Sequence, residues 1–501
     1  MSLVPSADDP TKPGLNSRQS ARDFLLGRIN YERMVSVPYT KRHMKLDRMR
    51  ELLTRLGNPD AGLPIVHVAG TKGKGSTAAM IARILHAAGY NTGLFASPHL
   101  EDISERFVVN GIPCPVAELE VLVEQLRPVV EEMDREVHTK RTVGLTYFEL
   151  TTAIALMFFA KRKVDIAVLE VGLGGRLDST NVCQSTLSVI TNISLDHTKQ
   201  LGDTVEAIAA EKAGIIKPGV PVLCGDLEPG PRRVIAEIAR QHGSRLFEEG
   251  QDFFHTYQPP RNLEREDSRG LLRFTGVLGG ESIELSDISL NLFGAHQAAN
   301  AALAIAVCAR LRRQGWSISW ESICGAFAGM KLPGRIEVVR RSPVVILDVA
   351  HNVASVEALV EAVNASFDCP TRVLVLAGTR EKDIHGMARV LLPHFQRVIV
   401  TQYQENPRAV PSAELLQVVR SELARLGRTE NAIAECALPR DAWELAQLWA
   451  EPDDLICVTG SFFIIAELRS VIRTECELSR PREAVSAVLQ RVPGSNPDKQ
   501  A

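Results

Sequence analysis

His67-Val68-Ala69-Gly70-Thr71-Lys72-Gly73-Lys74-Gly75-Ser76-Thr77 stands between a short apolar run and an amphipathic one. The run before it, residues 65–69, is rich in β-branched residues, the composition of a buried parallel strand. After it Met80, Ile81, Ile84, Leu85 and Ala88 recur at helical spacing up to Gly89, which predicts a helix stopped by glycine. Strand, glycine loop, helix is the order that builds a phosphate cradle. Glycines let backbone N–H groups converge on an anion, and the helix N-terminus adds partial positive charge. Lys74 can neutralise phosphate, and Ser76 or Thr77 can offer a hydroxyl to phosphate or to Mg²⁺. The stretch departs from the pattern G-x-x-x-x-G-K-[ST], because Gly75 separates the lysine from the serine.

A chain of 501 residues, 45% hydrophobic and 23% charged, has the composition of a globular protein of two or three domains. Its net charge of -3 gives no electrostatic argument for nucleic acid or an anionic membrane, so any polyanion it binds is small and locally recognised. The first residues lack a basic segment followed by an apolar core, and the longest apolar runs, such as 153–160, are too short to span a bilayer. The expectation is a cytoplasmic, monomeric protein acting on small molecules. Nine cysteines without C-x-x-C pairs read as buried, reduced thiols rather than a zinc site or a disulfide framework.

Taken in order, residues 1–17 read as a polar tail and 45–56 as an amphipathic helix. Residues 92–96 form a second strand, ending at Ser97-Pro98-His99-Leu100. In an open parallel sheet the loops at strand carboxyl ends meet in one crevice, which puts Ser97 near the phosphate loop. Residues 145–159 read as a buried helix around Glu149. The strand at 164–171 carries Glu170, a carboxylate that burial disfavours by several kcal/mol unless it is paired or bound to metal. A structural salt bridge is the alternative. The glycines of 171–178 permit close approach of a ligand, and Asp178 follows them. Residues 187–194 predict a strand leading to Asp196-His197-Thr198, so His197 becomes a third strand-end candidate for metal or phosphate. A helix within 204–219 carries Lys212. Residues 245–292 predict antiparallel strands added to the parallel sheet, and an alanine-rich helix from His296 carries Asn300. The chain changes domain near 331–335. Strands are then predicted at 344–348, 372–377, 398–401, 433–437 and 455–459, a second doubly wound sheet. The first of them is followed by no G-x-G-x-x-G, which argues against hydride transfer there. The fold class is α/β: a larger domain over 18–333 with a mostly parallel sheet, a smaller Rossmann-like domain over 334–475, and a polar tail over 476–501.

Eight ordered blocks carry a resemblance: Gly70 to Ser76, Ser97 to Leu100, Leu169 to Asp178, Asp196 to Thr198, Glu211 to Gly214, His296 to Asn300, Leu332 to Arg335 and Asp348 to Asn352. Over roughly 40–470 the chain resembles the folylpolyglutamate synthase and dihydrofolate synthase family, a branch of the Mur ligases. The resemblance implies a Mur-ligase-type ATPase domain and ATP-dependent ligation of L-glutamate to dihydropteroate, to folates, or to both, through an acyl phosphate. It implies that Gly73, Lys74, Gly75, Ser76 and Thr77 hold phosphates and that Ser97, Glu170 and His197 surround Mg²⁺. Asn300, Arg335, Asp348 and His351 correspond to nucleotide-contacting positions at the domain junction. Lys212 matches a lysine often carbamylated in the family, and Asp178 a position that meets the pterin in bifunctional members. Lys74, Glu170, His197 and Lys212 are thus the expected catalytic set.

Two departures stand out. Lys72 occupies a position where the family usually has asparagine, which is expected to add charge to the phosphate site. Val349 occupies a position usually held by glycine, and a β-branched residue does not easily take a positive φ. The competing readings are a cell-wall Mur-type amino-acid ligase, whose usual loop lacks the extra Gly75, and a non-catalytic ATP-binding switch protein.

Overall fold

The computed structural model describes residues 15–32, 46–140, 144–428 and 432–478. The chain falls into two compact units: one runs to Arg335 and includes Glu357–Phe367 and Asn406–Arg408, and the other comprises Ile336–Val356, Asp368–Glu405 and the chain from Ala409 onward.

In the first unit, helices α1 (Leu15–Leu26) and α2 (Leu46–Arg55) precede strand β1 (Ile65–Ala69). The expected tail at 1–17 thus ends inside α1 and otherwise lies outside the described residues. Next come α3 (Lys74–Ala87), β2 (Thr92–Phe95), β3 (Phe107–Val109), β4 (Ile112–Pro113), α4 (Val116–Lys140), α5 (Tyr147–Lys161), β5 (Ile166–Glu170) and β6 (Leu187–Ile190). They are followed by α6 (Thr198–Leu201), α7 (Val205–Ala213), β7 (Val222–Cys224), α8 (Pro229–Gln241) and β8 (Leu246–Glu248). The eight strands form one sheet in the order β4-β3-β2-β5-β1-β6-β7-β8, parallel from β2 through β8 and antiparallel at the β3 and β4 edge.

Because helices cover both faces, the central strands are apolar on both sides. Val66, Val68, Ile166 and Val168 pack with α3 in one core, whereas Ile65, Ala167 and Leu169 pack with α2, α4 and α5 in another. Buried Glu149 is the N-terminal capping partner of α5. Its Oε2 accepts from the Thr146 N–H at 2.8 Å, and Arg48 clamps both of its oxygens at 2.8 Å.

The strands β9 (Phe253–Gln258), β10 (Gly270–Leu278) and β11 (Glu281–Leu290) correct one expectation: they are not added to the parallel sheet but form their own antiparallel sheet of three. The physical reason is their length and alternation. Leu272, Phe274, Leu278, Ile283 and Ile288 turn one face inward, onto the core shared with helix α9 (Ala295–Arg312), and the opposite face stays exposed. The parallel sheet ends instead on short β8. Helix α10 (Trp320–Gly325) completes this part of the chain.

The second unit holds β12 (Glu337–Arg341), β13 (Val344–Leu347), β14 (Arg372–Leu376), β15 (Arg397–Val400), β16 (Ala432–Glu435) and β17 (Leu455–Thr459), in the order β12-β13-β17-β14-β15-β16. The last five in that order are parallel and match the predicted strands; antiparallel β12 was not predicted. Its register shifts within the pairing, and none of its residues is fully buried, so it carries little of the apolar signal of a strand. The final helix runs over Phe462–Leu478, into the expected tail at 476–501, whose remainder lies outside the described residues. Among the described residues no helix is long and apolar enough to cross a membrane.

His67 is the polar residue of β1 and is fully buried. Its Nε2 lies 2.8 Å from Thr180 Oγ1, and its Nδ1 lies 3.7 Å from Cys183 Sγ. Burial, helped by the charge of Lys217, lowers the His67 pKa from 6.5 to about 3. The folded chain therefore refuses a proton that the unfolded chain accepts, so the contribution of this group falls as the pH drops from 6.5 toward about 3. We predict that His67→Asn, although less stable at neutral pH, loses less further stability between pH 6.5 and pH 5 than the wild type does. The difference should be at most about 1.4 kcal/mol per pH unit, read from denaturant unfolding.

Candidate active site

The phosphate loop leaves β1 at Gly70 and enters α3 at Lys74, with Gly73 as the N-terminal cap in the left-handed region at φ 77°. A Cβ at Gly73 would lie 2.2 Å from Asn300 Oδ1, so the loop packs on α9 at backbone distance. Asn300 is held there by Thr77 Oγ1, which donates to its Oδ1 at 3.3 Å, and by its own Nδ2, which donates to Gln297 Oε1 at 3.3 Å. Ser76 and Thr77 are buried in the first turn of α3.

Gly75 answers to a second neighbour. A Cβ there would come within 3.2 Å of Glu170 Oε2. Glu170 ends β5, next to β1, and is 4% exposed. Burial raises its pKa, and Lys74, the Ser97 N–H, Arg335 and Arg106 oppose that rise. The Ser97 N–H donates to Oε2 at 3.0 Å. Of the expected site residues, the structure brings Lys74, Gly75, Ser97 and Arg335 to bear on Glu170. Arg106 is the member the sequence reading missed. This arginine is 1% exposed, clamps Glu32 at 2.9 and 2.6 Å, and donates through Nε to His99 Nδ1 at 2.7 Å.

A hard carboxylate oxygen beside a cationic phosphate loop is the donor chemistry Mg²⁺ prefers. Among the described residues no group of three or more His, Cys, Asp or Glu side chains could hold a metal. The expected set contains only two such residues, Glu170 and His197, with Ser97 as the third. His197 sits before α6 in the left-handed region at φ 50°, with its side chain 46% exposed. Its N–H donates to Asp196 Oδ1 at 2.9 Å.

Lys212, on α7, is 4% exposed, and its Nζ donates to Gly70 O at 2.7 Å. Its pKa is lowered well below the usual lysine value, by burial first and then by the charge of Lys74; Asp196 pulls the other way.

Asp178 is committed to its own loop. Its Oδ2 accepts from the N–H groups of Gly172 at 3.1 Å and Leu173 at 3.0 Å, and its Oδ1 accepts from Thr180 N at 3.0 Å and Thr180 Oγ1 at 2.5 Å. Since Thr180 gives its hydroxyl proton to Asp178, His67 Nε2 is the donor to Thr180 Oγ1, and His67 Nδ1 is left to accept from Cys183. Four donors thus occupy the carboxylate expected to meet a pterin, and it is 5% exposed.

In the second unit, Asp348 follows β13 and accepts from Ile336 N and Ala350 N, each at 2.8 Å. His351 Nδ1 donates to Val349 O at 2.8 Å. Val349 is absent from the residues with positive φ, so valine sits there without the strain expected from replacing a glycine.

The Mur ligase middle domain matches residues 68–308, and the Mur ligase glutamate ligase domain matches residues 334–462. The chain is 33% identical over 464 residues to a dihydrofolate synthase/folylpolyglutamate synthase of Bacillus subtilis, covering 91% of this chain and 99% of that protein. It is 35% identical over 432 residues to the protein of the same description from Mycobacterium tuberculosis, covering 82% of this chain and 83% of that one. In structure it is similar to a Mycobacterium tuberculosis folylpolyglutamate synthase complexed with ADP, with a TM-score of 0.81 at 30% identity, covering 91% and 98% of the two chains. An Escherichia coli relative in complex with DHPP and ADP gives a TM-score of 0.74 at 29% identity over 91% and 98%. With this identity sustained over nearly its whole length, the chain belongs to the folylpolyglutamate synthase/dihydrofolate synthase family of Mur ligases.

Proposed function

We propose that the protein is an ATP-dependent carbon–nitrogen ligase that joins L-glutamate to dihydropteroate and then to folates. The observation that carries this reading is the phosphate loop closed at backbone distance on a buried carboxylate, with Lys74 beside both. A carboxylate is a poor electrophile at neutral pH. Transfer of the γ-phosphoryl group of ATP converts it to an acyl phosphate, which the glutamate amine attacks; the tetrahedral intermediate then expels inorganic phosphate, and the amine proton goes to solvent.

In this scheme the N–H groups of Gly73, Gly75 and Ser76 and the ammonium of Lys74 bind and orient the phosphates, with Thr77 and Asn300 fixing the loop from behind. Glu170, with Ser97 and His197, would hold Mg²⁺, which when bound draws charge from the phosphate oxygens. By the resemblance, Arg335, Asp348 and His351 also serve the nucleotide. Asp178 is assigned to shaping the glycine turn at 172–173, because its acceptor capacity is already spent there. The reading makes the protein a cytoplasmic monomer acting on soluble substrates.

Lys212 is proposed to carry a carbamate. Its lowered pKa favours the neutral amine, whose lone pair forms a bond to the carbon of CO₂; one C=O π bond opens onto oxygen, and an N–H proton leaves. The product puts a hard anionic ligand in place of a neutral amine next to the phosphate loop.

Three outcomes are expected. Incubation with ATP and glutamate should give ADP, phosphate and a glutamylated product from dihydropteroate and from a reduced folate, resolved by mass spectrometry. Absence of both products would end the reading, and one without the other would reduce it to a single activity. Lys74→Ala and Glu170→Gln should each lower kcat by about a thousandfold at saturating ATP with unfolding transitions unchanged. Lys212→Ala should be inactive and partly rescued by a short carboxylic acid. With ¹³C-bicarbonate the wild type should show a carbamate resonance that the variant lacks, and an unmodified ammonium in active enzyme would refute the carbamate.

A further inference from the structure

Lys72 shares the phosphate loop with Lys74, and its ammonium does not stand over the loop alone. Its Nζ lies 2.8 Å from Asp196 Oδ2, with the two side chains 23% and 12% exposed. The other oxygen of that carboxylate accepts the backbone N–H of His197. His197 is one of the few non-glycine residues at positive φ, a conformation of an L-residue that persists only where its surroundings hold it. Around this pair the two segments are joined further. Thr71 N donates to Asn192 O at 2.8 Å, and Lys72 N donates to Asn192 Oδ1 at 2.8 Å. Ser194 N donates to Thr71 Oγ1 at 3.0 Å, and Thr191 Oγ1 donates to Lys72 O. These bonds secure residues 191–194 and stop short of the His197 turn. The Lys72 side chain reaches further along the segment, to Asp196.

We propose that Lys72 is a positioning residue: it clasps Asp196 and so holds the His197 turn against the phosphate loop, rather than adding a charge to the phosphate site. The inference rests on the proposed binding of nucleotide at this loop. It divides the labour between the two lysines of the loop, with Lys74 facing Glu170 and the phosphates and Lys72 facing the turn that carries a metal candidate. It also explains how the chain keeps a second cation in the loop without repelling the first. The charge of Lys72 is paired with Asp196, which also bears on Lys212.

A double-mutant cycle on the full chain tests this, with Lys72→Met, Asp196→Asn and the combined variant. The readouts are amide hydrogen exchange of residues 192–201 without nucleotide and the Kd for the non-hydrolysable β,γ-methylene analogue of ATP with Mg²⁺. Under the clasp each single change raises exchange across 196–199 by about fivefold, and the double variant goes no further than either single one. The Kd of the double variant equals that of the weaker single variant within about twofold, and Lys72→Arg restores both readouts. If exchange in Lys72→Met matches the wild type, or if the two Kd penalties multiply, Lys72 acts on the nucleotide itself and the clasp is wrong. If the wild type does not bind the analogue at all, nucleotide binding at the loop fails instead. The exchange measurement still decides whether the clasp exists.

Discussion

The carboxylate of Glu170 lies at the carboxyl end of a strand buried on both faces, where an uncompensated charge would cost several kcal/mol. Everything around the phosphate loop follows from that group. Lys74 supplies the strongest opposing charge, the Ser97 N–H supplies a hydrogen bond, and Arg335 and Arg106 add weaker positive charge. The loop can approach closely only because residue 75 has no side chain. The glycine that separates lysine from serine therefore has a definite physical role. It moves the loop backbone to within contact of a carboxylate that the ordinary phosphate-loop pattern does not require.

Three lysines close to one another meet three different environments, and burial and pairing decide the outcome of each. Lys72 is matched with Asp196 at 2.8 Å. Lys74 is only partly buried and faces Glu170. Lys212 is enclosed, donates to a carbonyl, and is repelled by the other two, so the neutral amine is favoured there. The same residue type thus provides an ion pair, a charge facing a buried carboxylate and a candidate for covalent modification.

The neighbouring glycine turn is governed by a different logic. From Cys183 through His67 and Thr180 to Asp178, each donor is satisfied by the next acceptor, and Asp178 passes that order to the backbone of Gly172 and Leu173. The pKa directions agree: Cys183 is pushed up to about 12 and His67 down to about 3, both chiefly by burial, so the thiol and the neutral imidazole persist across the physiological range. An acidic residue after a glycine loop invites a ligand reading. Here its carboxylate also accepts four donors of the loop itself.

What the sequence determined by itself was whatever depends on near neighbours in the chain. The β-branched run at 65–69, the glycines at 70, 73 and 75 and the helical period after them define strand, loop and helix, because periodicity and φ preference are local properties. The ordered blocks from Gly70 to Asn352 carried the family resemblance for the same reason: each is a run of near neighbours in the chain. Only the tertiary structure decided that β9, β10 and β11 form a sheet of their own, that Asp178 meets four donors of its own loop, and that Lys72 meets Asp196 across 124 residues. Those outcomes depend on which distant side chains share a buried space. Desolvation and pairing act through space, and no spacing along the chain encodes the distance between two charges brought together by the order of strands in a sheet.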